Sequence, residues 1–310
     1  VAILWSASDP VWNECDAELW DNQLIYLALL HKQIPVDFVD EFAVENGALA
    51  NYKVVVLSAR YLRKATLMAL AQWVRNGGNL WADGLTGTGD EYGQKTADFL
   101  PVLGIKDVII TDSTLKRSFN PQNGVYKEII PGTFIWKTTG EEIQCIGRKI
   151  SFSISDPENV KVLAMYPDGK IAAIEHRYGK GRVFYIGTYA GLCYNIPVVR
   201  EPGRIETNYR ETERKLVTDF VLQSGVSRPV ASSIDCVQAD ILESDAGTGI
   251  VLANYTGTKQ EKITLTIRAG KRPSKVTSVE CGDLKFSWDE TKKAVVVSLP
   301  LDICDIILVR

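Results

Sequence analysis

The sequence predicts an α/β fold: a doubly wound parallel sheet with a β-rich insertion, followed by a small antiparallel β-sandwich. Three observations carry this. Through the first hundred residues, short apolar runs alternate with segments of helical period. From about Ile105 to Glu175 that period gives way to short β runs separated by turn residues. After Gly225 the β runs recur at regular spacing with no helix between them.

The elements follow in order. "VAILWSAS" is β-rich and ends in polar turn residues. A helix is expected from about Asp16 to Lys32, with Leu19, Leu24, Leu27 and Leu30 near helical spacing. "IPVDFVDE" is a second strand, with Pro35 at its start, where the missing N–H costs least. "YKVVVLSA" is a continuous apolar run, as in a strand buried on both faces of a parallel sheet. "RKATLMALAQWVRNGG" is a helix with Leu67, Leu70, Ala71 and Val74 on one face and Gly77 as its stop. "NLWADG" is the fourth strand, and short links between these pieces give a flavodoxin-like winding.

In the insertion, "DVIITD", "VYKEII", "TFIWKTT" and "KISFSIS" read as strands. Two hairpins follow, turning at Asp168-Gly169 and at Gly179-Lys180-Gly181. "RVFYIGT" is expected to return to the parallel sheet, and a helix from about Glu206 to Gln223 closes a first domain of residues 1–225. "GVSRPVASS" links it to a second domain of residues 230–310, whose strands are "GIVLANYT", "KITLTI", "KVTSVE", "LKFSWDE", "AVVVSLP" and "CDIILVR".

Composition narrows the function classes. With 310 residues, 45% of them hydrophobic, the chain can bury a sizeable core. A net charge of −3 gives no reason to expect nucleic acid or an anionic membrane surface as partner. No apolar run approaches the roughly 18–20 residues that span a bilayer. A chain that opens at Val1 directly on a core strand is expected to have had a segment upstream, and its compartment stays open. The six cysteines form no CxxC pair and only two histidines are present, so no metal site and no cofactor is expected. The cysteines read as buried free thiols.

Ligands and catalytic groups gather at the carboxyl edge of a parallel sheet. The residues expected there include Ser6, Ser8, Asp40, Glu41, Ser58 and Cys193, and the ligand-binding candidates Asp9, Trp12, Arg60, Asp83, Asp90 and Tyr189. The stretch "NGGNLWADGLTG" has the strand-then-turn form that carries a nucleophile in many α/β enzymes, yet the turn residues are Asp83, Gly84 and Leu85. Acyl transfer needs Ser or Cys there with a histidine in reach. His31 is expected at the end of the first helix, and His176 in a hairpin as a solvated or hydrogen-bonded structural residue. Asp83 with Asp90 or Glu91 could form a glycosidase pair, but one Gly-rich loop holding three acids reads first as a solvated acidic loop. "GTGDEYG" lacks the Lys-Ser/Thr of a phosphate loop. Trp5, Trp73 and Trp81 read as packing, whereas Trp12 and Trp20 are candidate sugar platforms.

The succession "VAILWSASDP", "IPVDFVDE", "YKVVVLSARYLRKATLMALAQWVRNGGNLWADGLTGTGDEYG" and "YGKGRVFYIGT" resembles the trimerisation domain of family 42 β-galactosidases. "VVVSLPLDICDIILVR" resembles the small C-terminal β domain that follows it. The resemblance covers most of the chain apart from Ile105 to Ser155. It implies a class I glutamine-amidotransferase-like fold without the nucleophile, because that family's elbow Cys and later His have no counterpart at Asp83 or after "YIGTYAG". It also implies that glycoside cleavage belongs to an N-terminal (β/α)8 barrel with two glutamates, which this sequence does not contain. The function expected is a non-catalytic assembly or accessory region of a larger glycoside hydrolase. Its partners would be that catalytic domain and further copies of itself, with carbohydrate a candidate ligand. The alternatives are a self-contained amidotransferase-like hydrolase using Asp83 or Cys193, and a carbohydrate-binding module. The insertion and the loop near Trp12 and Trp20 are the expected contact surfaces.

Overall fold

The apolar runs form the centre of a nine-stranded sheet in the computed structural model. The structure describes residues 1–13, 17–113, 115–116, 128–129, 132–145, 147–194, 209–245 and 247–310. The strands, in chain order, are β1 (Ala2–Trp5), β2 (Asp37–Asp40), β3 (Val54–Leu57), β4 (Asn79–Asp83), β5 (Gly132–Trp136), β6 (Glu142–Cys145), β7 (Val160–Met165), β8 (Ile171–Tyr178) and β9 (Gly181–Ile186). Their order across the sheet is β6-β5-β7-β8-β9-β4-β3-β1-β2. From β9 to β2 every pairing is parallel. From β9 to β6 every pairing is antiparallel.

The expectation of a parallel sheet with a separate β-rich insertion is therefore corrected to one mixed sheet. The insertion is not an appendage, because β8 pairs with β9 along its length, from Ala173↔Ile186 to Tyr178↔Gly181. The two hairpin turns made this possible. Gly169 (φ 81°) and Gly179 (φ 62°) adopt the left-handed conformation such turns need, and "RVFYIGT" runs parallel to β4 as expected. Of the other insertion segments, "DVIITD" and "KISFSIS" pair apart from the large sheet, through Ile109–Ser113 and Arg148–Ser151. Most of "VYKEII" lies outside the described residues, as do the expected helix starts at Asp16 and Glu206.

Strand alternation assigns the two faces. Ala2, Leu4, Val55, Leu57, Leu80, Ala82, Val183 and Tyr185 point to one core. The helix Lys64–Arg75 covers it with Leu67, Leu70 and Val74. That helix ends in a Schellman motif, with Gly78 N–H donating to Trp73 O and Gly77 N–H to Val74 O. Gly77 sits at φ 122°, a conformation that suits glycine. On the opposite face Trp81 stacks on Phe184 at 5.8 Å, and Phe184 meets Phe220 of the helix Glu211–Gln223 at 5.9 Å. The indole of Trp81 donates to Leu216 O at 2.9 Å.

Trp5, expected to pack in the core, is 39% exposed. It ends β1 opposite Asp40 of β2, the outermost strand, where little covers it. β2 presents an open edge, with Phe38 exposed and Asp37 and Asp40 flanking it.

The chain divides into two compact units: Val1–Tyr26, Val36–Glu206 and Arg210–Val226 form the first, and Leu27–Pro35, Thr207–Tyr209 and Ser227–Arg310 the second. In the second unit, a four-stranded and a five-stranded antiparallel sheet contribute to one core of residues that include Ile250, Leu252, Ile263, Leu265, Val295, Val297 and Ile307. Leu27–Pro35 is anchored there by side chains. Gln33 Nε2 donates to Val237 O at 2.6 Å, Gln33 Oε1 accepts from Ser232 N at 3.2 Å, and Lys32 pairs with Asp235 at 2.8 Å. Cys145, Cys193 and Cys236 are buried thiols as expected, but Cys281 and Cys304 are exposed, both on the surface of this second unit. Cys15 lies outside the described residues.

Candidate functional site

The loops at the carboxyl ends of β1 to β4 meet in the first unit, and their acids decide what this edge can do. Glu41, which follows β2, is 2% exposed. Its carboxylate accepts from Arg63 N at 2.7 Å and from Ala7 N at 3.2 Å, with Ser6 Oγ also at 3.2 Å. Asp9 is 7% exposed, and its Oδ1 accepts from Arg60 N at 2.7 Å and Tyr61 N at 2.9 Å. Both carboxylates thus tie the loop after β1 to the chain after β3. Carboxylates committed in this way to backbone N–H groups act as latches between the two loops.

Asp83 lies deeper, 1% exposed, at the strand end where a nucleophile would stand. Its Oδ2 accepts from Ala190 N at 2.9 Å, at the start of the short helix Ala190–Tyr194. Asp21, buried in the helix Ala17–His31, accepts from Leu192 N at 2.9 Å in the same short helix. The Asp21 carboxyl is the neighbour of Asp83 in this buried site. Burial first, and the neighbouring Asp21 second, push the Asp83 carboxyl well above the usual carboxylate range. Two buried carboxyls set beside one another favour the protonated, neutral form of Asp83.

Gly84 follows at φ 58°, and a Cβ there would fall 2.4 Å from the Tyr189 ring. Tyr189 itself is fully buried against that turn. The phenol of Tyr185 donates to Gly84 O at 2.7 Å and closes the turn from below.

The six candidates from the sequence therefore separate into two groups. Asp83 and Tyr189 are packed under the sheet edge. Asp9, Trp12, Arg60 and Asp90 lie together above it, joined by the pairing of Tyr61 with Gly89 and Leu62 with Asp90. The Trp12 indole donates to Glu91 O at 2.9 Å and is 44% exposed. The Arg60 guanidinium sits over the Tyr61 ring at 4.9 Å. Asp90 opposes the expectation of a solvated acidic loop: it is 5% exposed, as Asp83 is 1%. Its Oδ1 accepts from Gln94 N at 2.8 Å and Tyr92 N at 3.0 Å, so the acid is consumed by its own turn. Burial raises its pKa, but those two N–H bonds and Lys64 outweigh it and hold the carboxyl below the ordinary value.

His176 is buried, with Nδ1 3.0 Å from Val102 O, the hydrogen-bonded structural role expected of it. Trp20 is 51% exposed. Among the described residues no group of three or more His, Cys, Asp or Glu side chains is placed to hold a metal ion. Asp21 is the residue sequence reasoning missed. Its signal was an acid on the same helical stripe as Leu24, Ile25 and Ala28, all buried.

A family model described as "Beta-galactosidase trimerisation domain" matches residues 21–201. No curated protein sequence matches the chain. Solved structures with a similar fold include the GH42 β-galactosidase Gan42B of G. stearothermophilus, with 15% identity and a TM-score of 0.66 over 99% of this chain and 39% of that one. The β-galactosidase of Bacillus circulans sp. alkalophilus gives 13% identity and a TM-score of 0.65 over 100% of this chain and 41% of its own. The α-L-fucosidase isoenzyme 2 of Paenibacillus thiaminolyticus gives 12% identity and a TM-score of 0.64, over 100% of this chain and 48% of its own. The chain spans less than half the length of each.

Proposed function

The chain belongs to the β-galactosidase trimerisation domain family, and from that premise we propose that it is a non-catalytic assembly region of a larger glycoside hydrolase. It acts by associating with further copies of itself and by packing beside a catalytic domain. One observation carries the non-catalytic part. The elbow position holds Asp83, 1% exposed, bonded to Ala190 N and set beside Asp21, so no nucleophile is presented there. The same architecture in a fucosidase and in β-galactosidases supports a role that is independent of the sugar cleaved.

Two finer readings accompany this. We read the parallel half of the large sheet as flavodoxin-like and amidotransferase-like. Its order, β2-β1-β3-β4-β9, is the doubly wound order 2-1-3-4-5, and helices cover both faces. We also read residues 1–225 and 230–310 as two domains, supported by the separate cores around Val55 and Val297. Of the six sheet-edge candidates, Trp12 and Arg60 are the ones free to meet a partner or a saccharide. Asp9, Asp83, Asp90 and Tyr189 serve to build the edge.

Sedimentation of the chain over a range of concentrations tests the assembly role, and a strictly monomeric species at high concentration would overturn it. In parallel, aryl galactosides and glucosides should not be turned over. Hydrolysis that survives purification and disappears in Asp83→Asn would sink the non-catalytic reading.

A further inference from the structure

The second unit holds an open cleft of about 940 Å³ at one end of its two sheets. Five cations line it: Arg268, Lys271, Lys292, Lys293 and Arg310, against the carboxylates of Glu243 and Asp245. Lys292 makes one long pair with Asp289, at 3.8 Å. The other four cations have no ion pair among the described residues. The main-chain oxygen of Arg310 accepts from Ser274 N at 2.7 Å and Lys275 N at 3.2 Å.

From this arrangement we propose that the cleft is a binding site for an anionic oligosaccharide, one carrying carboxylate or sulfate groups. The saccharide class rests on the glycoside-hydrolase reading above, whereas the preference for anions rests on the cleft alone. Unpaired cations gathered in a concave site on a chain of net charge −3 select for negative charge. The volume exceeds what a single phosphate fills and falls within the range of sites for larger organic ligands. Among the described residues, no aromatic side chain lines the cleft. That removes the stacking platform on which single-stranded nucleic acid depends, and the one on which neutral sugars are commonly held. Hydroxyls of Thr248 and Thr291 remain to meet sugar hydroxyls.

Lys293 adds a second, independent observation. It adopts φ 47°, left-handed backbone that suits glycine or asparagine in a turn. A lysine there costs stability and places a charge in the cleft, and backbone strain of this kind concentrates at functional sites.

The test is calorimetric titration of the whole chain at low ionic strength with an oligogalacturonide, a sulfated galactan fragment, a neutral galacto-oligosaccharide, inorganic sulfate and a single-stranded DNA of similar length. The acidic saccharides should bind, and added salt should weaken them. Lys271→Glu with Lys292→Glu should weaken that binding by about tenfold or more, while Lys259→Glu, outside the cleft, leaves it unchanged. Lys293→Gly should weaken binding and raise the melting temperature together, a combination that a purely structural lysine does not give. Equal affinity for the neutral saccharide or for the DNA overturns the proposal. So does sulfate binding with no gain for the acidic saccharides, or no binding at all. The assembly role is read separately by sedimentation, so either idea can fail without the other.

Discussion

Burial and the neighbouring Asp21 raise the Asp83 carboxyl, and this shift has a sign that can be worked out. A carboxyl whose folded-state pKa is raised binds its proton more tightly folded than unfolded. The stability it confers is fully present below the unfolded value, about pH 4. It is lost as the pH rises through the raised folded value. Urea midpoints should therefore fall from mildly acidic to alkaline pH, and Asp83→Asn should flatten that fall; a midpoint in the variant that tracks the parent at every pH would count against the raised Asp83 carboxyl. Next to it, Gly84→Ala would bring a Cβ to 2.4 Å from the Tyr189 ring at φ 58°. The expected cost is about 2–4 kcal/mol, from left-handed strain plus overpacking, read from the same urea curves. Sequence reasoning located Asp83 at the strand end from the "NGG" stop and the apolar run before it. It could not see Asp21, because the partner of a buried acid is set by which helix the fold lays across the strand end.

Single elements repeat the lesson at longer range. The helix Lys64–Arg75 was legible because its apolar period and its stop are local, and the Schellman hydrogen bonds at Gly77 and Gly78 follow from the same residues. Gly77→Val should cost about 1 kcal/mol or more by placing a β-branched residue in left-handed backbone, and an unchanged denaturation midpoint would refute that assignment. Glu41 ties the loop after β1 to Arg63 at the entry of the helix. Glu41→Ala leaves those buried N–H groups without an acceptor and should lower stability by about 1–3 kcal/mol, with faster amide exchange at Arg63. The strands of the insertion were legible as strands, but their membership of the large sheet was not. A β run of four to eight residues carries its own alternation and turn signals, and nothing in it names the strand beside which it will lie.

For the whole molecule, the order of strands was the part of the fold hardest to read, since β9 returns beside β4 after almost a hundred residues of intervening chain. The second unit has a similar long-range dependence. Gln33 donates to Val237 O and accepts from Ser232 N, both some two hundred residues further along the chain. Gln33→Ala should destabilise that unit by about 2–3 kcal/mol, seen as lost amide protection at Ser232, because the buried Val237 carbonyl and the part-buried Ser232 N–H lose their partner together. The outermost strand β2 bears on how the protein behaves in concentrated solution. Its backbone is unpaired along one side, with Phe38 and Trp5 exposed beside it, and such an edge can template cross-chain β-pairing. Asp37 and Asp40 bracket Phe38 and repel a second copy of the same edge. Replacing Asp37 with valine should turn a clear solution turbid at concentrations the parent tolerates, so two aspartates on one short strand act as the molecule's guard against fibrous self-association.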